Sequence, residues 1–327
     1  MTIHDLQTPA LLVDADGLQH NLTTMAAALP GARLRPHVKA HKCTALARRQ
    51  AAFGHRAFTC ATIREMEGMA RAGLGDDLLL ANEVLDTRRL ALLPARVTVA
   101  VDSLATIDAA ARGGIGEVVI DVNVGLPRCG CAPADAGRLA ELARAKGLAI
   151  RGVMGYEGHI VGLDDRNARI HGCEESMRML VEAHRHVGGD IVSAGGTGTF
   201  DCNVWGTEIQ AGSYALMDTA YAKLGLPFRQ ALNVLATVIS TAPAYAVADC
   251  GLKALGMDHG LPAIDDAQVL FCSDEHVTFV PEKPCRVGDR IRVWPAHIDP
   301  TIAYHERLHI VEGETVVDIW PVDLRGW

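Results

Sequence analysis

The sequence has 327 residues, 49% of them hydrophobic, with 32 glycines and a formal net charge of −8. That suits a well-packed α/β protein made of one large domain, or of a barrel with a smaller second domain, and the acidic balance excludes nucleic acid as the main partner, because phosphate binding needs a basic footprint. No stretch reaches the roughly eighteen apolar residues of a membrane span, Met1-Thr2-Ile3-His4-Asp5 lacks the pattern of a secretory signal, and nine cysteines without a C-x-x-C pair cannot all be joined within one chain, so a reduced cytoplasmic protein is expected.

In chain order, Thr8-Pro9-Ala10-Leu11-Leu12-Val13-Asp14 reads as a short strand, followed by a helix over 17–29 for which Asp16 is the expected cap. Residues 32–39 form a strand that ends in Lys39 just before a helix over 43–52. Further strands are expected at 57–61, 77–81, 96–101, 117–122, 149–154, 191–196 and 208–212, with helices at 63–72, 103–112, 133–146 and 164–186 between them. Continuous apolar strands alternating with amphipathic helices imply parallel strands buried on both faces. Eight of them before about residue 225 predict a closed (β/α)8 TIM barrel rather than a doubly wound sheet. After Phe228 the texture changes: strands at 234–240, 245–249, 276–280 and 290–294 follow one another without helices, and 287–289 and 312–314 read as hairpin turns. The expected division is a barrel over 15–230 and a β-domain over 1–14 and 231–327.

Arg35-Pro36-His37-Val38-Lys39-Ala40-His41-Lys42 carries the first chemistry. An amine at the rim of an α/β barrel, crowded by Arg35, His37, His41 and Lys42, would lose its proton more readily and could form a Schiff base with an aldehyde cofactor. A solvated basic cluster is the alternative. Ser193-Ala194-Gly195-Gly196-Thr197-Gly198-Thr199 and Gly212-Ser213-Tyr214 follow the seventh and eighth strands, where barrels seat phosphate; tight turns would also need the glycines. Tyr156 and His159 end the sixth strand, where they could touch substrate or move its protons, or pair as half-buried hydrogen bonders. Arg128, after the fifth strand, could hold a carboxylate or a phenolate. His297 and Asp299, two apart on an expected extended segment, suit a divalent ion such as Zn²⁺ or Mn²⁺; a hydrogen-bonded His/Asp pair is the plainer reading.

Taken together, T-P-A-L-L-V-D at 8–14, R-P-H-V-K-A-H-K at 35–42, G-G-T-G-T at 195–199, Q-A-G-S-Y at 210–214, D-C-G-L-K at 249–253, D-E-H at 274–276 and P-A-H-I-D-P-T at 295–301 resemble the fold-type III pyridoxal-phosphate enzymes. The likeness is greatest to the metal-activated branch that holds D-threonine aldolase and eukaryotic-type D-serine dehydratase. The resemblance implies that Lys39 carries pyridoxal 5'-phosphate covalently and that Thr197, Gly198, Gly212, Ser213 and Tyr214 lie near its phosphate. It implies that His297 and Asp299 hold a divalent metal (Mn²⁺, Zn²⁺ or Mg²⁺), with aspartate rather than cysteine as second ligand favouring the aldolase. The expected substrate is a D-3-hydroxy amino acid such as D-threonine, cleaved to glycine and acetaldehyde. A dehydratase acting on D-serine or 3-hydroxyaspartate is the alternative, and an amino-acid racemase or a non-catalytic cofactor carrier fits less well. One departure stands out: the aldolases resemble Tyr-x-Gly-x-x-Gln-His in the sixth loop, and Gly162 takes the place of that last histidine, so that His159 is its expected substitute. The family also implies that the N-terminal strand joins the β-domain and that two chains form a homodimer.

Overall fold

The computed structural model describes residues 1–327. The chain divides into two compact units, one made of Met25–Lys39, Leu46–Gly212 and Leu324–Trp327, the other of Met1–Thr24, Ala40–Ala45 and Ser213–Asp323. No helix is long and apolar enough to cross a membrane, and all nine cysteines are free thiols.

The chain opens with β1 (Ala10–Asp14) and α1 (Ala15–Ala28). The helix starts two residues before its expected position, because Asp14 Oδ1 accepts the Gly17 N–H at 2.7 Å. Asp14, not Asp16, is therefore the cap: only the residue just outside the helix can reach back to the third amide of the first turn.

From here α2 (Thr44–Ala52), β2 (Ala57–Cys60), α3 (Ile63–Arg71), β3 (Asp77–Leu80), β4 (Val97–Val101), α4 (Leu104–Arg112), β5 (Glu117–Asp121), α5 (Ala136–Ala145), β6 (Ala149–Met154), α6 (Arg166–Val187), β7 (Ile191–Ala194) and β8 (Glu208–Ile209) follow in order. Caps mark the helix starts. Thr62 and Glu65 exchange hydrogen bonds at α3, the Thr106 N–H donates to Ser103 Oγ at α4, and the Ala168 N–H donates to Asp165 Oδ1 at α6. The strands pair in parallel as a curled sheet of order β2-β3-β4-β5-β6-β7-β8.

This corrects the expected barrel. The lysine segment, expected as the first of the eight strands, is not a regular one: Leu34 and His37 make isolated parallel bridges to Ile209 and Thr59, and a 3-10 turn, Val38–Ala40, ends the run. The Arg35 and His37 N–H groups donate to Ile209 O and Ala211 O on the β8 side, and on the β2 side Pro36, with no N–H to donate, only accepts the Thr59 N–H. Leu78, Leu80, Val99, Val101, Val118 and Ile120 pack outward with Met66, Ile107, Leu139 and Met177 of the helices, whereas the alternate residues Leu79, Ala100, Val119 and Met154 form a separate cluster.

Next to that inner cluster, at the N-terminal ends of the strands, lies an ionic network rather than more apolar packing. Arg35, 1% exposed, donates to Glu208 at 2.7 Å and to Asp77 at 3.1 Å, and Arg151 donates to the same aspartate at 2.7 Å. Arg35 is thus a neutralised partner of two carboxylates, not one of the bare charges expected to crowd Lys39.

The other unit builds a nine-stranded sheet from β1 and from β9 (Leu232–Ala242), β10 (Tyr245–Ala248), β11 (Ala263–Ile264), β12 (Ala267–Cys272), β13 (Val277–Pro281), β14 (Arg290–Trp294), β15 (Arg307–Glu312) and β16 (Thr315–Pro321). The order is β10-β13-β12-β11-β14-β9-β1-β15-β16, and a further β9–β10 pairing closes the first six into an antiparallel barrel. β1 lies antiparallel to β9 and parallel to β15, so the N-terminal strand does belong to this sheet. Gly313, at φ +61°, turns the β15–β16 hairpin as expected. Residues 287–289 do not join a hairpin: β14 pairs with β9 and β11, and β13 with β10 and β12. Two short helices, α7 (Thr219–Ala222) and α8 (Ile298–Tyr304), also occur in this unit. α8 lies between β14 and β15, where only strands were expected.

Candidate functional site

The C-terminal ends of the parallel strands bring several of the predicted residues together. Lys39 sits half-buried on the turn Val38–Ala40. The Arg128 guanidinium, from the loop after β5, lies 5.4 Å from the centre of the Tyr156 ring, from the loop after β6, a cation–π arrangement that orients both. The tyrosine ring also passes close to Gly158 and Gly196, where a Cβ would stand 2.4 Å and 3.4 Å from ring atoms. His159 is exposed, and its imidazole covers Gly125, whose hypothetical Cβ would stand 2.7 Å from it.

The glycine turn after β7 differs in detail from the expected phosphate cradle. The N–H groups of Gly195 and Gly196 donate to Glu157 Oε2 and Thr199 Oγ1, at 3.1 and 3.2 Å, so they are used inside the protein. Thr197 and Gly198 follow them and stay the candidates for an anion. Gly198 has a packing reason of its own, since a Cβ there would stand 1.8 Å from Val161 O. Gly198→Ala is therefore expected to lower stability in urea unfolding by about 1–3 kcal/mol, the usual cost of overpacking. Gly162→Ala, at a site with nothing within 4 Å, should unfold close to the wild-type midpoint.

Sequence reasoning missed the carboxyl pair of this unit. Asp121, the last residue of β5, is buried, and its carboxyl is pushed well above the usual carboxylate range by burial, by the charge of Glu83 and by a hydrogen bond with it. A carboxyl shifted in this direction holds its proton more readily than a free one, and in its protonated form it can donate a hydrogen bond. Its signal in the sequence was only an aspartate closing an otherwise apolar strand.

In the other unit, Ser213 stands on a 3-10 turn, Ser213–Ala215, with its hydroxyl donating to Asp299 Oδ1 at 3.5 Å. Tyr214 is fully buried against Phe228, ring centres 5.7 Å apart. His297 and Asp299 are not two positions on a strand. His297 is the extended N-cap of α8 and Asp299 lies in its first turn, yet His297 Nε2 and Asp299 Oδ1 come within 3.8 Å. Asp218 braces this corner by accepting the Tyr221 N–H at 2.9 Å and the Ile298 N–H at 3.1 Å.

Two residues that no motif announced complete the cluster. The His297 Nδ1–H donates to Asp258 Oδ2 at 2.7 Å, and the His259 ring stacks on His297 with centres 4.0 Å apart. The ligand atoms of Asp258, His259 and His297 lie within 4.8 Å of one another. With Nδ1 committed to a carboxylate, the lone pair of His297 is on Nε2, the nitrogen nearer Asp299, which is how second-sphere carboxylates orient metal-binding imidazoles.

The alanine racemase N-terminal domain profile matches residues 13–220, and a serine dehydratase domain profile matches 231–311. The 3-hydroxy-D-aspartate aldolase of Paracoccus denitrificans (strain Pd 1222) is 34% identical, over 98% of this chain and 93% of its own. The crystal structure of D-threonine aldolase from Filomicrobium marinum superposes with a TM-score of 0.92 at 34% identity, covering 99% of this chain and 97% of that one. A D-threo-3-hydroxyaspartate dehydratase mutant solved in a metal-free form gives a TM-score of 0.90 at 25% identity over the whole of both chains. Agreement of this extent, reaching both units, establishes that the protein belongs to the alanine racemase N-terminal domain family, with a serine dehydratase domain as its C-terminal part.

Proposed function

We propose that the protein is a pyridoxal-phosphate- and divalent-metal-dependent lyase that cleaves D-3-hydroxy amino acids, in the manner of D-threonine going to glycine and acetaldehyde. The observation that carries this reading is the end-to-end likeness, at 34% identity in each case, to two aldolases of that substrate class. Pyridoxal phosphate, when bound, supplies an electron sink for the pair released as the Cα–Cβ bond breaks.

The residues present fit such a cofactor: Lys39 offers a half-buried amine for its aldehyde, Arg128 a cation held by the Tyr156 ring, and Thr197 and Gly198 donors at a glycine turn. Gly212, Ser213 and Tyr214 are assigned to the phosphate by family resemblance. A divalent cation fits His297 and Asp299, because Nε2 carries the free lone pair and a carboxylate lies 3.8 Å from it; a Lewis acid there lowers the pKa of a bound alcohol. His159, exposed at the rim, is the group assigned to take the hydroxyl proton. We assign the cofactor-binding α/β domain to 15–230, the β-domain to 1–14 and 231–327, and the working form to a homodimer in the reducing cytoplasm, in keeping with nine free thiols.

Purified protein given pyridoxal phosphate and Mn²⁺ should release glycine and an aldehyde from D-threonine or D-3-hydroxyaspartate, and chelation should lower the rate on the order of a hundredfold. The likeness to a 3-hydroxyaspartate dehydratase supports a second reading: pyruvate or oxaloacetate in place of glycine would establish it. Absence of both product sets with the whole panel would overturn the lyase assignment.

A further inference from the structure

One buried carboxylate does no work in the chemistry above. Glu157 lies between Tyr156 and His159 in the loop after β6 and is 0% exposed. Its Oε2 accepts the Gly195 N–H at 3.1 Å. Its Oε1 accepts the Thr199 hydroxyl at 2.8 Å and the Asn203 side-chain N–H at 3.1 Å, with the Cys173 thiol at 3.8 Å. Thr199 Oγ1 in turn accepts the Gly196 N–H. Each of these donors is neutral.

A buried carboxylate without a cationic partner is a poor source of stability, since an apolar side chain of similar size would avoid the cost of taking it out of water. What such a satisfied network does is hold groups in one arrangement. Here it ties the loop that carries Tyr156 and His159 to the turn that carries Thr197 and Gly198, and it occupies the first two amides of that turn. We propose that Glu157 is a positioning residue: by fixing the glycine turn against the Tyr156 loop, it sets the geometry in which Thr197 and Gly198 receive the cofactor phosphate. This rests on the cofactor reading given under Proposed function.

The test uses the full chain, stripped of cofactor and titrated with pyridoxal phosphate, followed by equilibrium dialysis and by the visible circular dichroism of the bound cofactor. Glu157→Gln sets an NH₂ group against at least one of its N–H donors, and Thr199→Val deletes the hydroxyl link without changing the shape greatly. Both should raise the dissociation constant about tenfold or more and alter the dichroism band, whereas Thr199→Ser should stay within about twofold of wild type. If Glu157→Gln does not fold, Thr199→Val and Thr199→Ser decide. Variants that lose only thermal stability, with wild-type affinity and dichroism, would show a merely structural carboxylate and overturn the proposal. Failure of the wild-type chain to bind pyridoxal phosphate would instead overturn the cofactor reading and this inference with it.

Discussion

Under the proposed function, replacing Lys39 by alanine is expected to lower kcat/KM for D-3-hydroxy amino acids by at least about 10³-fold, because the amine that would hold the cofactor is removed. The position is specific. Lys39 ends the bridging segment on a 3-10 turn, whereas Lys42, three residues on, has a left-handed backbone at φ +47°. Lys42→Ala should keep most of the activity. Borohydride reduction of the wild-type enzyme followed by peptide mapping should find the cofactor on Lys39. Full activity in Lys39→Ala, or a label on Lys42, would sink the assignment.

The second large effect concerns stability. Asp77 sits at the start of β3 between Arg35 and Arg151, and removing its carboxylate leaves two guanidinium groups facing each other with one acceptor fewer. Deleting one member of a buried ion cluster costs about 3–5 kcal/mol, because two guanidinium charges stay out of water with only Glu208 left to Arg35 and Glu117, at 3.7 Å, to Arg151. Asp77→Ala should therefore unfold at a much lower urea concentration than the wild type. An unchanged midpoint would mean that the network is solvated and idle.

The same carboxylate makes stability depend on pH. Burial acts to raise the Asp77 pKa, but hydrogen bonds and charge from Arg151 and Arg35 outweigh it and hold the group at about 2, below its ordinary 3.8. A depressed folded-state pKa means stability that is complete above the unfolded value and lost as pH falls through the folded one. That places about 2 kcal/mol at risk between about pH 4 and pH 2. Urea midpoints measured down that range should fall in the wild type and fall less in Asp77→Asn.

Much of the site was legible because its residues are close in sequence and end predictable elements. Lys39 follows a bridging segment and precedes a helix, Tyr156 and His159 follow β6, and Thr197 and Gly198 follow β7. The remainder was not legible because distance along the chain hides it. Asp258 and His259 stand 39 and 38 positions before His297, in no motif, and only the packing around α8 brings the three together. Arg35 read as one more positive charge near a lysine until Glu208, 173 positions away, and Asp77 were found to neutralise it. Glu157 was not singled out, because its partners Gly195, Thr199 and Asn203 lie 38, 42 and 46 positions away.

The sequence by itself determined the alternation of strands and helices, the change to a β-rich C-terminal part, and the chemical kind of each rim residue. These depend on hydrophobic period and on local capping, which neighbouring residues settle among themselves. Only the tertiary structure decided which face of a strand meets the interior, which carboxylate pairs with which arginine, and which nitrogen of His297 bonds a carboxylate. Those outcomes depend on groups dozens or hundreds of residues apart, whose charges and hydrogen bonds act only once the fold has brought them within a few ångströms.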